Sequence, residues 1–375
     1  SYEQGLRITQ ALEDRYGEAV FLNGLGATYD AQGDLDTALD YYQQALPLAR
    51  ETDNKDTEAS ALGNIAYLYS RKGEQATAID YYEQALALHR ANNSRASEGL
   101  VLNNLAITYG DLGQKDRAIT HFEQALAISE EVGDVRLEAS VLTNLGRTYD
   151  TLGKRETALE YFQASLKLSQ RIGDTAGEAV TLNNIGLIYE AIGEDETALD
   201  YFQDSLQLAQ SANLSFLQPT LLHNIGNTFM ELGEDGPALE YMQQALAASR
   251  AIGNRQQEAL TLINLGVFAD RQGNSSAALD YFEQALPIHR SVGNRDGEAV
   301  TLNNLGSIYL DSNPALAFDY FEQALPLYQA VGNRNLEVIT LSNLAVFYRN
   351  QGQIEQAIAE VSRAIALIED LRTDI

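Results

Sequence analysis

The stretch that decides the fold spans residues 57–96 and reads TEASALGNIAYLYSRKGEQATAIDYYEQALALHRANNSRA. In its first half apolar side chains recur at i, i+3, i+4 and i+7, at Leu62, Ile65, Ala66 and Tyr69. This spacing predicts an α-helix with one apolar face. Gly73 follows and is the residue type that ends such a helix. A second apolar face comes next, formed by Ala78, Tyr82, Ala85 and Leu86. The stretch is therefore predicted to form a helix, a turn and a second helix.

The same pattern returns every 40 residues along the chain. A Glu-Ala pair marks the register at Glu18, Glu58, Glu138, Glu178, Glu258 and Glu298, with Glu98-Gly99 as a near match and Glu337 one residue early. We place the lost residue in the turn at residues 311–314, where the sister repeats have a longer linker with Gly. The predicted organisation is a second helix of a truncated preceding repeat at 1–16, followed by nine units at 17–56, 57–96, 97–136, 137–176, 177–216, 217–256, 257–296, 297–335 and 336–375.

Every unit has a small residue at one position of its second helix. These residues are Ala38, Ala78, Ala118, Ala158, Ala198, Ala238, Ala278, Ala317 and Ala357, and bulky rings stand four positions later at Tyr42, Tyr82, Phe122, Phe162, Phe202, Phe282 and Phe321. The small side chain lets two helices approach closely, and the ring fills the space beside it. One helix pair cannot bury its apolar face alone, so neighbouring pairs must stack. We predict an all-α protein that is an α-solenoid.

One run of residues carries a family resemblance. Leu182-Asn183-Asn184-Ile185-Gly186-Leu187-Ile188-Tyr189, followed by Gly193, Ala198, Tyr201-Phe202 and Ser205-Leu206, resembles a tetratricopeptide repeat (TPR). The 40-residue spacing and the paired Asn are similar to the variety found in kinesin light chains and in the Leu-Gly-Asn-repeat adaptors of spindle orientation. The resemblance covers essentially the whole chain. It implies a right-handed superhelix that binds protein or peptide on its concave side. Leu62 and Leu182 depart from the shorter family consensus, which has Trp there, and the Pro at the repeat end is absent.

Composition narrows the class of partner. The 375 residues include 53 Asp and Glu against 25 Lys and Arg, which gives a formal net charge of −28. Nucleic-acid binding needs clustered Lys and Arg, so nucleic acid is not expected as a partner. Anionic membrane surfaces are disfavoured for the same reason. No apolar run approaches the ~18 residues of a membrane-spanning helix. We expect a soluble, cytoplasmic protein that binds a protein or peptide.

A polar strip runs along the first helices, opposite their apolar face. Its most regular members form what we call the Asn strip: Asn64, Asn104, Asn144, Asn184, Asn224, Asn264, Asn304 and Asn343. Asn is a mediocre helix former, so helix propensity does not explain eight of them in mid-helix. One interpretation is structural, with each amide bonded to a neighbouring first helix. The other is functional, because an amide with two donors and an acceptor can bind the main chain of an extended peptide. The two interpretations do not exclude each other.

The neighbours of the Asn strip vary, and we expect them to set specificity. At the position of Tyr67 the units carry Ala27, Tyr67, Ile107, Arg147, Leu187, Asn227, Val267, Ser307 and Val346, and one turn further the strip shows Arg71, Asp111, Glu231, Arg271 and Asp311. Such a mixture suits a mixed peptide or a partner helix. Family members that bind chaperones hold a C-terminal carboxylate with a Lys/Arg cluster; these positions are mostly neutral or acidic, which disfavours that partner. The candidate binding residues are the Asn strip with Asn103, Asn183, Asn303, Tyr67, Arg71, Arg147 and Asn227.

No catalytic or metal-binding pattern stands out. The chain has no Cys, and its four histidines, His89, His121, His223 and His289, lack HxxH or HExxH spacing. We expect His223 to lie near the candidate binding groove and the other three to lie on the solvated surface. No set of residues supplies a nucleophile, a base and oxyanion donors together. The sequence therefore predicts a protein that is not an enzyme and that needs no cofactor or metal.

Three alternatives stay open. Residues 364–372, AIALIEDLR, resemble the segment that leads out of the last repeat in bacterial proteins coupling TPRs to a caspase-like CHAT protease domain, so the chain can be the regulatory arm of a larger enzyme. Residues 1–16 place Tyr2, Leu6 and Ile8 in register with Tyr42, Leu46 and Leu48, and this unpaired face can bind a second copy. In the irregular stretch 212–219, Leu214, Phe216 and Leu217 either fill an inter-repeat joint or form a small docking patch. The half unit at the start and the missing initiator Met indicate an excerpt of a longer array.

Overall fold

The protein is all-helical over the part of the chain that its structure, a computed structural model, describes. That part is residues 2–373, and within it we find 19 α-helices and no strand. The helices are α1 (Tyr2–Ala11), α2 (Arg15–Ala31), α3 (Leu35–Glu51), α4 (Lys55–Arg71), α5 (Gln75–Ala91), α6 (Arg95–Asp111), α7 (Lys115–Val132), α8 (Val135–Thr151), α9 (Arg155–Ile172), α10 (Thr175–Ala191), α11 (Asp195–Ser211), α12 (Gln218–Glu231), α13 (Asp235–Ile252), α14 (Arg255–Arg271), α15 (Ser275–Val292), α16 (Arg295–Ser312), α17 (Pro314–Val331), α18 (Arg334–Asn350) and α19 (Ile354–Thr373).

The helices form two compact units, Ser1–Ile188 and Tyr189–Ile375, each of which contains several of the 40-residue repeats. From here on, "first unit" and "second unit" mean these two. From α2 onward the helices alternate between a first and a second helix of a pair. In the first unit α2, α4, α6 and α8 lie side by side as well as packing on their own second helices. In the second unit α12, α14, α16 and α18 do the same. Repeated helix pairs that pack on their neighbours in chain order make this an α-solenoid, as predicted.

In several helix pairs the core contains a contact between a small residue of the first helix and a large one of the second. Phe162 on α9 is 1% exposed, and a Cβ added at Gly146 on α8 would lie 2.6 Å from its ring. The small Ala158, one turn before Phe162, is fully buried. Aromatic pairs then stack beside this contact, at Tyr29–Tyr41, Tyr69–Tyr81, Tyr149–Tyr161, Tyr189–Tyr201 and Tyr309–Tyr320. Sequence reasoning assigned Tyr69 to the core but missed this stack.

The turns follow the expected chemistry. Gly73 ends α4 with φ of +80°, a left-handed conformation that glycine adopts without steric cost, as predicted. The following turn needs the same conformation, and there Asn93 has φ of +53°. Many of the helix starts are capped by Asp or Asn; the Asp134 carboxylate, for example, accepts from the Leu137 N–H at 3.0 Å. The starts of α5, α6 and α7 have no such side-chain bond. Between α16 and α17 a single residue, Asn313, replaces the three-residue linker that separates the first and second helices of the other pairs. This is the site that the sequence indicates for the lost residue.

An ion pair with a buried carboxylate joins successive helix pairs. Arg90 at the end of α5 donates to Glu98 in the first turn of α6 at 2.8 Å, and Arg95 donates to the other carboxylate oxygen at 2.6 Å. Glu98 itself is only 4% exposed. The Glu of the repeating Glu-Ala pair is therefore held by a residue eight positions earlier. Equivalent contacts are Arg50–Glu58, Gln170–Glu178, Arg250–Glu258, Arg290–Glu298 and Gln329–Glu337.

These pairs predict how stability depends on pH. Burial alone raises the pKa of Glu98, but hydrogen bonds from Arg90 and Arg95 outweigh it and hold the pKa below its ordinary value. A carboxylate with a lowered pKa in the folded state stabilises the fold above its unfolded pKa, and this contribution is lost as the pH falls. We expect Glu98→Gln to reduce the free energy of unfolding at pH 7 by about 2 kcal/mol.

The same variant should differ less from the wild type as the pH is lowered from about 4.5, the ordinary pKa of glutamic acid. Urea unfolding between pH 3 and pH 7, followed by circular dichroism, measures both effects. Glu138→Gln is the matched control, because position 130 is Glu rather than Arg and Glu138 has no such donor eight residues earlier. Equal losses for the two variants would contradict the role given to the ion pair.

Two of the histidines are buried, contrary to the prediction from sequence. The prediction that His89 and His289 lie on the solvated surface is wrong: they are 6% and 1% exposed. His289 lies against the next first helix, so close that a Cβ added at Gly297 would meet its ring at 2.3 Å. Burial lowers the pKa of both imidazoles. His121 is half-buried and stacks on Tyr109, with ring centroids 5.3 Å apart.

The ends and the irregular joint expose apolar side chains. On α1, Tyr2 and Ile8 are exposed, although the Tyr2 ring makes an edge contact with Phe21. In the irregular stretch Leu214 and Leu217 pack against the core of α11 and α12, while Phe216 is 58% exposed. That stretch therefore has both of the features left open, a filled joint and an exposed ring. No helix within residues 2–373 is long and apolar enough to span a membrane.

Candidate functional site

The Asn strip lies on the first helices from α4 to α18, and every member is half-buried. In the first unit the Asn64 amide donates to Asn23 Oδ1 on α2 at 3.4 Å. The Asn144 amide donates to Asn103 Oδ1 on α6 at 3.0 Å, and Asn103 in turn donates to Asn104 at 3.2 Å. These Asn side chains thus join neighbouring first helices, which is the structural role considered above. The Oδ1 atoms of Asn64 and Asn144 are not used by these bonds, whereas Asn104 Oδ1 accepts from Asn103.

Asn184 on α10 differs from Asn144. Its Nδ2 is buried and has no hydrogen-bond partner among the described residues. The position that holds the acceptor Asn103 one repeat earlier is Thr143 here. Thr143 bonds instead to Ser165 at 2.8 Å and to the Ala139 carbonyl at 3.1 Å. The Asn184 side chain is consequently not anchored to the neighbouring helix.

The second unit has a similar ladder that includes a histidine. Asn264 donates to His223 Nε2 at 3.3 Å and to Asn227 Oδ1 at 3.2 Å. Burial lowers the pKa of His223 to about 4, so the imidazole is neutral. Because Nε2 accepts from Asn264, the proton is on Nδ1, which donates to Thr261 Oγ1 at 3.2 Å. His223 lies beside the Asn strip, as predicted, but it is only 6% exposed.

The remaining candidate residues of the second unit lie on the same face. Asn343 donates to Asn303 Oδ1 at 3.1 Å and to Ser307 at 3.3 Å. Asn227 donates to Glu190 at 3.2 Å. Burial raises the pKa of Glu190, against the effect of the bond from Asn227. Asn224 on α12 and Asn304 on α16 are half-buried, and so is Asn183, which lies on α10 in the first unit.

Exposed apolar side chains flank the Asn strip in the first unit. Tyr67, Leu100, Ile107 and Leu187 are between 37% and 53% exposed, although each sits on a helix whose opposite face is in the core. Arg71 is already engaged, with Asp30 at 2.9 Å and the Tyr67 ring at 5.6 Å. Arg147 is exposed and makes no ion pair within residues 2–373. Of the two predicted arginines, only Arg147 therefore has a free guanidinium.

Two cavities open on this face and share Asn144 and Arg147. One has a volume of about 220 Å³ and lies between α6 and α8, lined by Ile107, Asp111 and Thr148 among others. The other measures about 640 Å³, lies between α8 and α10, and is lined by Arg136, Ser140 and Asn184 among others. Burial raises the pKa of Asp111, and the charge of Arg147 opposes this shift. Both cavities are open to small polar and apolar groups.

Among the described residues, no group of three or more His, Asp and Glu side chains is placed to hold a metal ion. The site thus consists of amides, hydroxyls, exposed apolar groups and arginine, with Asp111, Lys115 and Asp174 also lining the cavities.

The hydrogen bonds of the Asn strip predict how two substitutions change the free energy of unfolding. Removing Asn144 breaks an inter-helix bond and leaves Asn103 Oδ1 without its donor, so Asn144→Ala should lower the free energy of unfolding by about 1 kcal/mol. Asn184→Ala should cost less or even stabilise, because it removes a buried amide that lacks a partner. Chemical denaturation of the two variants beside the wild type gives the comparison. A larger loss for Asn184→Ala than for Asn144→Ala would contradict the assigned bonds.

Comparison with known proteins identifies the family. A family model described as a tetratricopeptide repeat matches residues 1–51, 18–91, 57–131, 97–171, 137–211 and 217–291, together well over half of the chain. The chain belongs to the tetratricopeptide repeat family. No curated protein matches the sequence.

Solved structures with the same fold are distant in sequence. The apo form of the quorum sensor NprR from B. thuringiensis is 17% identical, with a TM-score of 0.60, covering 98% of this chain and 94% of NprR. A Rap protein complexed with competence and sporulation factor is 14% identical, with a TM-score of 0.60 and coverage of 96% and 99%. A signal transduction ATPase of the STAND class with a tetratricopeptide repeat sensor, from Pyrococcus horikoshii, is 14% identical, with a TM-score of 0.63 and coverage of 90% and 54%.

Proposed function

We propose that this chain is a non-catalytic module that binds an extended peptide or a partner's helix along the Asn strip. The observation that carries the proposal is the face itself: half-buried amides in register on successive first helices, flanked by exposed Tyr67, Leu100, Ile107 and Leu187. Apolar side chains left in water beside ordered polar groups are a common feature of binding surfaces. The amides supply affinity for a main chain, and the variable neighbours supply specificity.

The geometry of an extended peptide suits this spacing. Adjacent first helices pack roughly 10 Å apart, and an extended chain advances ~3.3 Å per residue. One Asn thus meets about every third residue of the peptide. Where Nδ2 is bonded to the neighbouring helix, as in Asn144, the free Oδ1 accepts a peptide N–H.

The structural neighbours support a regulatory binding role. One of them, the Rap protein, has competence and sporulation factor bound, and another, NprR, is a quorum sensor. We propose for this chain the same general use of the fold, in which the helix pairs hold a ligand rather than carry out a reaction. We further propose that it acts in the cytoplasm.

The test uses a displayed library of random twelve-residue peptides. Peptides enriched on the wild type are synthesised, and their dissociation constants are measured by fluorescence anisotropy. Loss of two main-chain hydrogen bonds at about 1 kcal/mol each predicts roughly ten- to thirtyfold weaker binding by the pair Asn104→Ala and Asn184→Ala.

The matched control is the pair Gln44→Ala and Gln207→Ala, which removes two exposed amides from second helices. It should bind like the wild type. Unchanged affinity of the Asn104/Asn184 variant, with an intact circular dichroism spectrum, would show that the Asn strip is structural only.

A second candidate role is that of a regulatory arm in a larger enzyme. It is favoured by the apolar face of α19, where Ile354, Ile358, Val361 and Ile365 are exposed and line a cavity of about 590 Å³. A domain that followed the repeats would cover this face. The full reading frame of the gene decides the matter: a downstream domain with a His and Cys pair supports the role, and a stop codon near residue 375 contradicts it.

A further inference from the structure

The charge of the chain is not evenly spread. Residues 137–176 carry five Lys and Arg against five Asp and Glu, although the whole chain has a net charge of −28. The next 40 residues, 177–216, carry seven Asp and Glu and no Lys or Arg. The first helix of the neutral stretch, α8, is also the helix on which the two cavities meet.

One face of α8 presents two guanidinium groups with polar side chains between them. Arg136, Ser140, Asn144 and Arg147 are spaced by four, four and three residues, which places them on one side of the helix. At a rise of 1.5 Å per residue, Arg136 and Arg147 are about 16 Å apart along the axis. All four line the 640 Å³ cavity.

The two arginines are free of ion pairs, unlike the other arginines of the first helices nearby. Arg71 pairs with Asp30 at 2.9 Å, and Arg95 with Glu98 at 2.6 Å. Neither Arg136 nor Arg147 is at salt-bridge distance from a carboxylate of the described residues.

The nearby carboxylates are engaged elsewhere. Asp174, which lines the larger cavity, accepts from the Gly177 N–H at 3.2 Å, and Asp111, which lines the smaller one, accepts from Gln75 at 3.4 Å.

We propose that this face of α8 binds two acidic side chains of an extended peptide, one at Arg136 and one at Arg147. The inference rests on the proposed peptide-binding function and specifies the peptide. Successive side chains of an extended chain point to opposite sides, so neighbouring acidic residues reach opposite ends of the face. The peptide then crosses α8 over Ser140 and Asn144.

The adjacent helices specify what flanks the acidic pair. With first helices roughly 10 Å apart, the residues about three positions before and after the pair lie over α6 and α10. Ile107 on α6 and Leu187 on α10 are exposed there, so the peptide residues that lie over them are apolar. The unanchored Asn184 side chain is free to turn its amide toward the peptide main chain.

The random twelve-residue library is again the probe, used on three proteins. These are the wild type, the double variant Arg136→Gln/Arg147→Gln, and the control Arg155→Gln/Arg171→Gln. The control removes two other exposed arginines, from α9, and gives the same change in net charge. Wild type and control should enrich peptides in which two neighbouring Asp or Glu residues have apolar residues about three positions away. The Arg136/Arg147 variant should lose this preference.

Synthetic peptides then test the pairing directly. They are amidated at the C-terminus, so that only side-chain carboxylates remain. A charge-assisted bond predicts about tenfold weaker binding for each arginine removed. Changing both acidic residues of the peptide to neutral amides should weaken binding to the wild type as much as removing both arginines does. The same change should leave binding to the Arg136/Arg147 variant unaltered.

The outcomes separate the two proposals. Enriched peptides without an acidic preference, or equal losses for the Arg136/Arg147 variant and the control, overturn the acidic site and leave peptide binding intact. A preference that disappears once the C-terminus is amidated also overturns it, in favour of a terminal carboxylate. No enrichment by the folded wild type overturns peptide binding and the acidic site together.

Discussion

One contact, which recurs in helix pairs of both units, supports the rest of the structure: a ring or a long side chain of the second helix lies on a small residue of the first helix. Gly146 with Phe162 and Gly266 with Phe282 show how tight this contact is, because an added Cβ would stand 2.6 Å and 2.5 Å from the ring. The contact fixes the rotation of each first helix about its own axis. Asn144, two residues before Gly146, is about 200° away on the helix and so faces outward.

That fixed rotation creates the candidate site. Since every first helix is turned the same way, the residues opposite the small position come into line from one helix to the next within each unit. The line is partly used for structure, because Asn64 and Asn144 bond to the preceding first helix. It is interrupted at Thr143, and there Asn184 is left without a partner and the larger cavity opens. Where the ladder is complete, its amides join neighbouring first helices, and at Thr143 the Asn184 amide has no such partner.

The sequence predicted much of this and missed what depends on the neighbouring repeat. Apolar spacing placed Leu62 and Ile65 in the core, and Gly73 was correctly assigned to the helix end. His89 and His289 were wrongly predicted to lie on the surface. The apolar pattern of one helix does not reveal which of its side chains the next helix pair buries. A signal was present, however: most of the equivalent positions are small residues, which indicate a packed surface, namely Ala49, Ser129, Ser169, Ala209 and Ser249. The Glu-Ala pair likewise indicated only the 40-residue register. Nothing in its spacing showed that the carboxylate is the partner of an arginine eight residues earlier.

By itself the sequence determined the helices, the turns, the 40-residue period and the face on which the Asn strip lies, because these follow from local spacing and from the need to bury apolar surface. Only the tertiary structure decided which polar groups are already satisfied. Arg71 and Arg147 are both predicted binding residues, yet Arg71 is held by Asp30 from 41 residues away while Arg147 is free. A hydrogen bond or an ion pair forms only if the distance between donor and acceptor is right to within a few tenths of an ångström, and packing of the helices sets that distance. A helical wheel gives the direction of a side chain, but not that distance.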